Sequence, residues 1–408
     1  MRLRGHTGDL PELRTALPAA LGDDLLALYL DGSFPHPDIP PLASDSRLWL
    51  FVQPNTQMQR VREAFLPIRS THPELFRQGP AVASVADFAL YDLLFPDHST
   101  RLRREAQLLA GTDLLHQLPD PVPPEPIVRL AHIAGETIRC SALLTYSPAA
   151  TRDRARLVQR LRWMANQQAS LTQSGSKDQT SPLDFLTDLH AYLAAQSSHY
   201  PTYHWNGPLS SKAPPSHLPG AVALVGLERQ LIIVMPEVDR PLLDRIDWNA
   251  VLDLVSDDFT GIMLATPWQL RLAASIDMAM ELYLRSFELV WGSDVLGGCQ
   301  PSEQHVLANA AELPVSVLVQ QLPADYVMSE ETELGKLIHD AQNTLLKIQL
   351  RSEVIARRKK ILPSRPPGRL PGQETPLHER VAANLRHFRW WAEHLTASWK
   401  ELDGMAER

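Results

Sequence analysis

The sequence predicts an α+β protein built from two tandem copies of one domain, each a small mixed sheet flanked by helices and followed by a helical segment. Short β-branched or aromatic runs alternate with helical patterns along the 408 residues, as expected for sheets covered by helices. Two parts of the chain repeat each other at a distance of about 182 residues, and such a repeat indicates a duplicated unit. Order and spacing are kept in three matched segments: 47–54 with 229–236, 79–84 with 261–266, and 108–115 with 289–296.

Each copy is predicted to begin with a helix, at 10–21 and at 183–195. Two apolar strands follow, then a helical stretch and a third strand. The strands are expected at 26–30, 48–52 and 81–83 in the first copy, and at 221–225, 231–235 and 262–265 in the second.

The third strand of each copy ends in a signal for the start of a helix. Ser84 with Asp87, and Thr266 with Gln269, place a hydroxyl at the cap and an acid or an amide three residues later. Such a pair satisfies backbone amides that the first helical turn leaves free. Two different sequences therefore encode one local structure.

Glycine and proline mark the ends of further elements. Gly111 and Gly292 are interpreted as helix stops, with helical segments beyond them at 126–166, 303–321 and 331–361. Proline clusters and a Gln/Ser-rich stretch are typical of joints. The predicted division is a first domain at 1–118, a helical segment at 119–169, a linker at 170–182, a second domain at 183–298, a helical segment at 299–362, and a proline-rich linker with a terminal helix at 363–408.

Composition limits the class of protein. With 44% hydrophobic and 21% charged residues, the chain has an ordinary globular composition. A net charge of -8 does not favour nucleic-acid binding, which draws on accumulated Lys and Arg. The longest apolar region, 220–236, is interrupted by charged residues, so no membrane association is expected. Two widely separated cysteines suit a reducing compartment, and we expect a cytoplasmic protein of bacterial type.

The loop after the first strand carries a motif. Gly32 and Ser33 follow that strand, and Asp45 and Arg47 stand where the next strand opens. This pattern resembles the nucleotidyltransferase superfamily, which includes the aminoglycoside-modifying and DNA polymerase beta-like enzymes. In that family a strand ends in Gly-Ser and an Asp-x-Asp pair opens the next strand. The resemblance covers about residues 9–118 and, more faintly, 183–298.

The resemblance implies roles for these residues. Gly32 and Ser33 would contact a phosphate, and Asp45 would be a ligand of Mg²⁺. Two carboxylates that alternate on a strand point to the same side and can hold metal ions against a triphosphate. Here the second carboxylate position is Arg47, a cation that repels the metal. The first copy is therefore interpreted as degenerate.

Other acids are weaker candidates for a metal ligand. Asp31 and Asp38 flank the loop, and Asp87 is the only acid offered by a later strand, although it has a simpler role in the helix cap. In the second copy the strands are joined almost directly, so the loop has shrunk to a hairpin-like turn around Gly226. No Gly-Ser pair and no carboxylate pair remain there.

The resulting hypothesis is a non-catalytic nucleotidyltransferase-like protein that acts as a binding or interaction module for an unknown protein or nucleotide. No cofactor is expected. The alternative is an active metal-dependent nucleotidyltransferase whose active site lies at Ser33 and Asp45 and which modifies a small molecule or a protein hydroxyl. Mg²⁺ is expected only in that case. A third hypothesis is RNA cleavage by Arg389 and His394, for which docking of an amphipathic terminal helix is the simpler interpretation.

Overall fold

The computed structural model describes most of the chain in separate ranges. Gly32, Ser33, Asp38 and Asp45 lie outside them, in the gap between the first two strands. The described residues are 12–31, 47–71, 79–122, 125–144, 182–208, 214–216, 218–227, 230–246, 261–276, 287–299, 303–359, 366 and 368–406.

The first sheet has four strands, β1 (Leu25–Asp31), β2 (Arg47–Val52), β3 (Ala81–Ala83) and β4 (Gln107–Gly111). Their order is β3-β2-β1-β4. Strand β1 pairs antiparallel with both β2 and β4, whereas β2 and β3 are parallel. The sheet is therefore mixed, as predicted.

The second sheet repeats this arrangement with β5 (Ala223–Leu227), β6 (Gln230–Val234), β7 (Gly261–Ala265) and β8 (Phe287–Gly292). Its order is β7-β6-β5-β8, with the same parallel and antiparallel pairs. The protein is thus α+β with two four-stranded mixed sheets of one topology.

The interpretation of Gly111 and Gly292 as helix stops is wrong. Each is the last residue of an edge strand, β4 or β8, with φ of 84° and 95°. A Cβ on Gly111 would lie 2.2 Å from the Leu26 carbonyl oxygen, and one on Gly292 would lie 2.3 Å from that of Val222. The positive φ and the close approach require glycine in both copies. Both edge strands also carry a register shift at the same place: Leu109 and Val290, each two residues before the glycine, have no paired residue in the neighbouring strand.

Helices surround the sheets, and most of them begin near the predicted positions. A short π-helical segment, Val317–Gln321, connects two of them. The helices of eight or more residues are α2 (Met58–Thr71), α3 (Val85–Leu94), α4 (Pro96–Glu105), α5 (Pro126–Leu144), α6 (Pro182–Ser197), α8 (Pro267–Ile276), α9 (Glu303–Ser316), α11 (Leu334–Lys359) and α12 (Leu377–Ala406); shorter ones are α1 (Leu17–Leu21), α7 (Arg240–Leu243) and α10 (Leu322–Met328).

Alternate residues of a strand point to opposite sides, and both faces of each sheet are buried except along the partly exposed edge strand β8. In the first sheet Tyr29, Trp49 and Phe51 pack on one side with α3, α9 and α12, while Leu28 and Leu50 pack on the other side with α1 and α2. The second sheet has the same two-sided core. Strands buried on both faces explain the nearly continuous apolar runs in the sequence.

Contacts divide the chain into two compact units that do not follow chain order. One unit joins residues 1–124 with 307–408, and the other comprises 125–306. Helix α5 follows the first sheet in the chain, yet it packs against β7 and α8 of the second. The segment Val317–Gln321 follows the second sheet, yet it packs against β3 and α3 of the first. Each sheet is therefore covered by a helical segment that follows the other.

The described helices include none that combines the length and the apolar character needed to cross a membrane.

Candidate functional site

The candidate site lies at the end of the first sheet where β1 ends and β2 begins. Asp31, the last residue of β1, is the cross-strand partner of Arg47, the first residue of β2. The predicted phosphate residues Gly32 and Ser33 and the predicted metal ligand Asp45 belong to the connection between these two strands, outside the described residues. The described side chains around Asp31 and Arg47 define the floor of the site.

Asp31 is held by an arginine of α4. Arg101 donates from both terminal nitrogens to the two carboxylate oxygens, at 2.8 and 2.9 Å. Both side chains are at most one-tenth exposed, so this paired geometry is shielded from water. Both oxygens of this carboxylate accept strong charge-assisted hydrogen bonds from a guanidinium. Asp31 is therefore poorly available as a ligand for a metal ion.

A chain of buried hydrogen bonds extends from Arg101. Its Nη2 lies 2.7 Å from Nε2 of His98, and Nδ1 of His98 lies 3.0 Å from the hydroxyl of Tyr91. Because an arginine only donates, Nε2 must accept, so a neutral His98 carries its proton on Nδ1 and donates to Tyr91. Gln320 Nε2 donates to the same hydroxyl at 2.6 Å.

Electrostatics keep His98 in that neutral form. Burial, together with the positive charges of Arg101 and Arg47, holds the pKa of His98 well below its ordinary value. Burial also raises the pKa of the Tyr91 phenol. The network is therefore a fixed, neutral bridge from the Asp31–Arg101 pair to Gln320, with its hydrogen-bond directions set by Arg101.

Arg47 differs from Arg101, because it has no ion pair or hydrogen bond among the described residues. Its Nε is buried without a partner. Burial lowers the pKa of its guanidinium, while Tyr91, Asp31 and Asp325 oppose this effect. Burial in turn raises the pKa of the Asp325 carboxyl, and the charge of Arg47 opposes that rise. Arg47 is a largely buried cation with Asp31 and Asp325 nearby, and no described acid is in contact with it.

Aromatic rings form the wall beneath this polar cluster. Trp49, two residues after Arg47 on the same face of β2, packs edge-on against Phe88 and Tyr91 with ring centroids 5.8 and 5.3 Å away. Its indole Nε1 is buried and has no hydrogen-bond partner in the described part of the chain. The wall excludes water from the polar cluster, which strengthens its electrostatic interactions.

Asp87 lies at the other end of the sheet. The parallel register puts Ala83 beside Phe51, four residues along β2 from Arg47, which is roughly 13 Å at about 3.3 Å per residue. The Asp87 carboxylate stays near that end, because its Oδ2 accepts from the backbone N of Ser84 at 3.2 Å. The predicted capping box of Ser84 and Asp87 is present. Asp87 therefore acts as a cap and cannot complete a carboxylate cluster at Arg47.

The terminal helix α12 supplies a second arginine clamp. Arg389 donates from Nε and Nη2 to the two carboxylate oxygens of Asp87, both at 2.7 Å. Its hydrogen bonds to Asp87 raise the pKa of the Arg389 guanidinium despite partial burial. His394 stacks on Trp390 with ring centroids 4.9 Å apart, and burial lowers its pKa. Phe388, Trp391 and Leu395 are in the core, as the docking interpretation predicts.

The second sheet carries no charged pair at the corresponding position. Gly111 pairs with Ala27 and Gly292 pairs with Ala223, so these two pairs are equivalent. Four residues further along each strand, Asp31 paired with Arg47 corresponds to Leu227 paired with Gln230. The sequence repeat pairs Arg47 with Arg229 instead, which is wrong by one residue, and Arg229 lies outside the described residues. The hairpin is present, but Gly226 lies within β5 opposite Leu231, so the chain reverses after Leu227.

The helix cap predicted in the second copy, formed by Thr266 and Gln269, is also present. The backbone N of Thr266 donates to Gln269 Oε1 at 3.0 Å, and Gln269 N donates to Thr266 Oγ1 at 3.3 Å. Burial lowers the pKa of the adjacent His190 to about 4, with Gln269 opposing the shift. Neither ring nitrogen of His190 has a hydrogen bond of ordinary geometry within the described ranges. The second sheet is thus packed as a scaffold around a neutral histidine.

The sequence reasoning did not single out the residues of the polar network other than Asp31 and Arg47. A signal was present, since His98 and Arg101 are three residues apart on α4 and therefore share a helix face. The acidic partners of Arg101 and Arg389 are Asp31 and Asp87, which are distant in the chain, so no local pattern reveals either pair.

Within the described ranges, no group of three or more His, Cys, Asp or Glu side chains is arranged to hold a metal ion. The described acids of the site do not fit the magnesium centre that the sequence resemblance implies, since Asp31 is paired with Arg101 and Arg47 stands where the resemblance places a carboxylate.

Comparison with known proteins gives no match: no family model, no curated protein and no solved structure is similar to this chain.

Proposed function

We propose that the protein is a degenerate nucleotidyltransferase-like protein that acts by binding rather than by catalysis. The carrying observation is the pair of arginines at the end of the first sheet, where Arg101 holds Asp31 and Arg47 opens β2. Nucleotidyl transfer depends mainly on metal ions that neutralise developing phosphate charge. Replacement of a metal-binding carboxylate by a cation removes that contribution.

Exposed apolar side chains support a role in binding a protein. The order of the second sheet places β8 at its edge, and Leu289 and Val290 of that strand are 39% and 49% exposed. On α11, Leu346 and Leu350 are also more than half exposed and lie one helical turn apart. Exposed apolar residues that cluster, rather than occur singly, are typical of interaction sites.

Titration with nucleotide tests this proposal. Isothermal calorimetry with each nucleoside triphosphate and Mg²⁺, and a transfer assay with radiolabelled triphosphates, are expected to show no metal-dependent binding and no labelled product. Asp45→Ala is the matched variant. Tight binding that requires Mg²⁺ and disappears in Asp45→Ala, or transfer of label that this variant abolishes, would overturn the proposal in favour of an active nucleotidyltransferase.

A further inference from the structure

The Arg47 guanidinium is the unusual group of the candidate site. A buried cation normally has an acidic partner, because removing a charge from water is costly. Arg101, Arg103 and Arg389 each follow this rule, with carboxylate pairs at 2.6 to 2.8 Å. Arg47 is partly buried, as Arg389 is, and makes no such contact with any described residue.

The acids near Arg47 do not supply the missing partner. Asp31 lies opposite it across the strand pair, but both of its oxygens accept from Arg101. Asp325 interacts with Arg47 electrostatically without forming an ion pair, and its burial favours the neutral carboxyl. Among the described residues, the charged and titratable groups facing Arg47 are therefore Asp31, Asp325, Arg101, Tyr91 and His98. None of them forms an ion pair or a hydrogen bond with Arg47.

Further donors near Arg47 also remain unused. The Tyr91 hydroxyl already accepts from Gln320 and His98, so its own proton is free to be donated. Trp49 Nε1, on the same face of β2, has no acceptor among the described residues. The surroundings of Arg47 thus offer an excess of hydrogen-bond donors over acceptors. Such a site is complementary to an oxyanion.

We infer that Arg47 is the anchor of an anion site that binds a phosphate group without a metal ion. The planar guanidinium presents donors in a fork that matches two oxygens of a phosphate. A bound phosphate would give the buried charge its missing partner. The inference rests on the proposed function and deepens it, since it names the class of ligand as inorganic phosphate or the terminal phosphates of a nucleotide.

Calorimetry in the presence of EDTA tests the anion site directly. Inorganic phosphate, inorganic pyrophosphate and ATP are titrated separately into the full chain, with sodium chloride at matched ionic strength as the reference. We expect at least one of these anions to bind without metal, and Arg47→Gln to weaken that binding at least tenfold. Arg104→Gln removes an exposed arginine of α4 and is expected to bind as the wild type does. Comparison of the affinities for phosphate, pyrophosphate and ATP shows whether the site prefers inorganic phosphate or the terminal phosphates of a nucleotide.

A second measurement keeps the test independent of the variant's folding. An arginine-selective dicarbonyl reagent is applied to the wild-type protein, and modification of individual arginines is followed by peptide mass spectrometry. Pyrophosphate is expected to slow modification of Arg47 several-fold and to leave Arg104 unchanged. Equal reaction of Arg47 with and without anion, or equal affinity of Arg47→Gln and wild type, would overturn the inference.

The two proposals fail in different ways. Absence of anion binding in EDTA, with no binding of metal and triphosphate either, removes only the anion site. Binding that needs Mg²⁺ and Asp45 removes the non-catalytic proposal itself.

Discussion

Arg389 joins the last described helix to α3 through two hydrogen bonds to Asp87, a residue 302 positions earlier in the chain. Asp87 also closes the capping box of α3 with Ser84. One carboxylate therefore fixes both the start of α3 and the position of α12. The same principle operates at Asp31, where Arg101 of α4 holds the end of β1.

Arg389→Ala should destabilise the protein by roughly 1–2 kcal/mol. The variant removes two charge-assisted hydrogen bonds to a buried acid, but Arg389 is about one-third exposed, so solvent screening reduces the loss. Urea unfolding monitored by circular dichroism measures it. Arg386→Ala changes an exposed arginine of the same helix and is expected to stay within about 0.5 kcal/mol of wild type. Equal effects of the two substitutions would contradict a specific role for the Asp87 contact.

Asp31→Asn should cost about 3 kcal/mol or more. Both members of the Asp31–Arg101 pair are buried, so removal of the negative charge leaves Arg101 without its compensating partner. Arg47→Met is the informative comparison, because Arg47 has no such partner among the described residues. Its replacement by an apolar side chain is expected to leave the free energy of unfolding unchanged or to raise it. A large loss of stability in Arg47→Met would show that Arg47 is a structural cation.

Gly111→Ala and Gly292→Ala should each destabilise the protein by more than about 2 kcal/mol, since a Cβ would collide with a backbone carbonyl and the positive φ is unfavourable for alanine. Gly335→Ala is the control. Gly335 begins α11 with open space around it, so alanine there is expected to be neutral or to stabilise the helix by up to about 1 kcal/mol. Tolerance of both strand substitutions would show that neither position requires glycine.

His190→Leu should reduce the pH dependence of stability. The folded pKa of about 4 lies below the ordinary value of 6.5, so the unfolded chain binds the proton first as the pH falls. The contribution is complete above pH 6.5 and is lost progressively toward pH 4, by about 2 kcal/mol between pH 7 and 5. Unfolding free energies at these two pH values, for wild type and variant, measure the difference. An unchanged difference would mean that folding leaves the pKa of His190 near its ordinary value.

The sequence predicted the elements whose patterns are local. Three strands of each sheet and both helix caps are predictable from the sequence, because short apolar runs and the Ser84–Asp87 and Thr266–Gln269 pairs are signals that extend over only a few residues. Strands β4 and β8 were missed, since Leu-rich runs ending in glycine are equally typical of a helix end. Only pairing with β1 and β5 distinguishes the two.

The candidate site was predicted less completely. Arg47 was identified from the motif, but its neighbours come from α3, α4 and α10, whose approach depends on tertiary packing. Asp31 was considered as a metal ligand, and nothing near it in the chain reveals that Arg101 holds it. The packing of α5 against the second sheet likewise has no local signal, because a helix pattern specifies an apolar face and not the surface that covers it.

The discontinuous unit has a consequence for biosynthesis. Residues 125–306 form a continuous compact unit, whereas 1–124 are packed by 307–408. Domains usually fold from the amino terminus as the ribosome releases them, but here the first sheet leaves the tunnel long before the helices that cover one of its faces. We expect residues 125–306 to mature first, and the strands of the first sheet to depend on chaperones until residues 307–408 have been made.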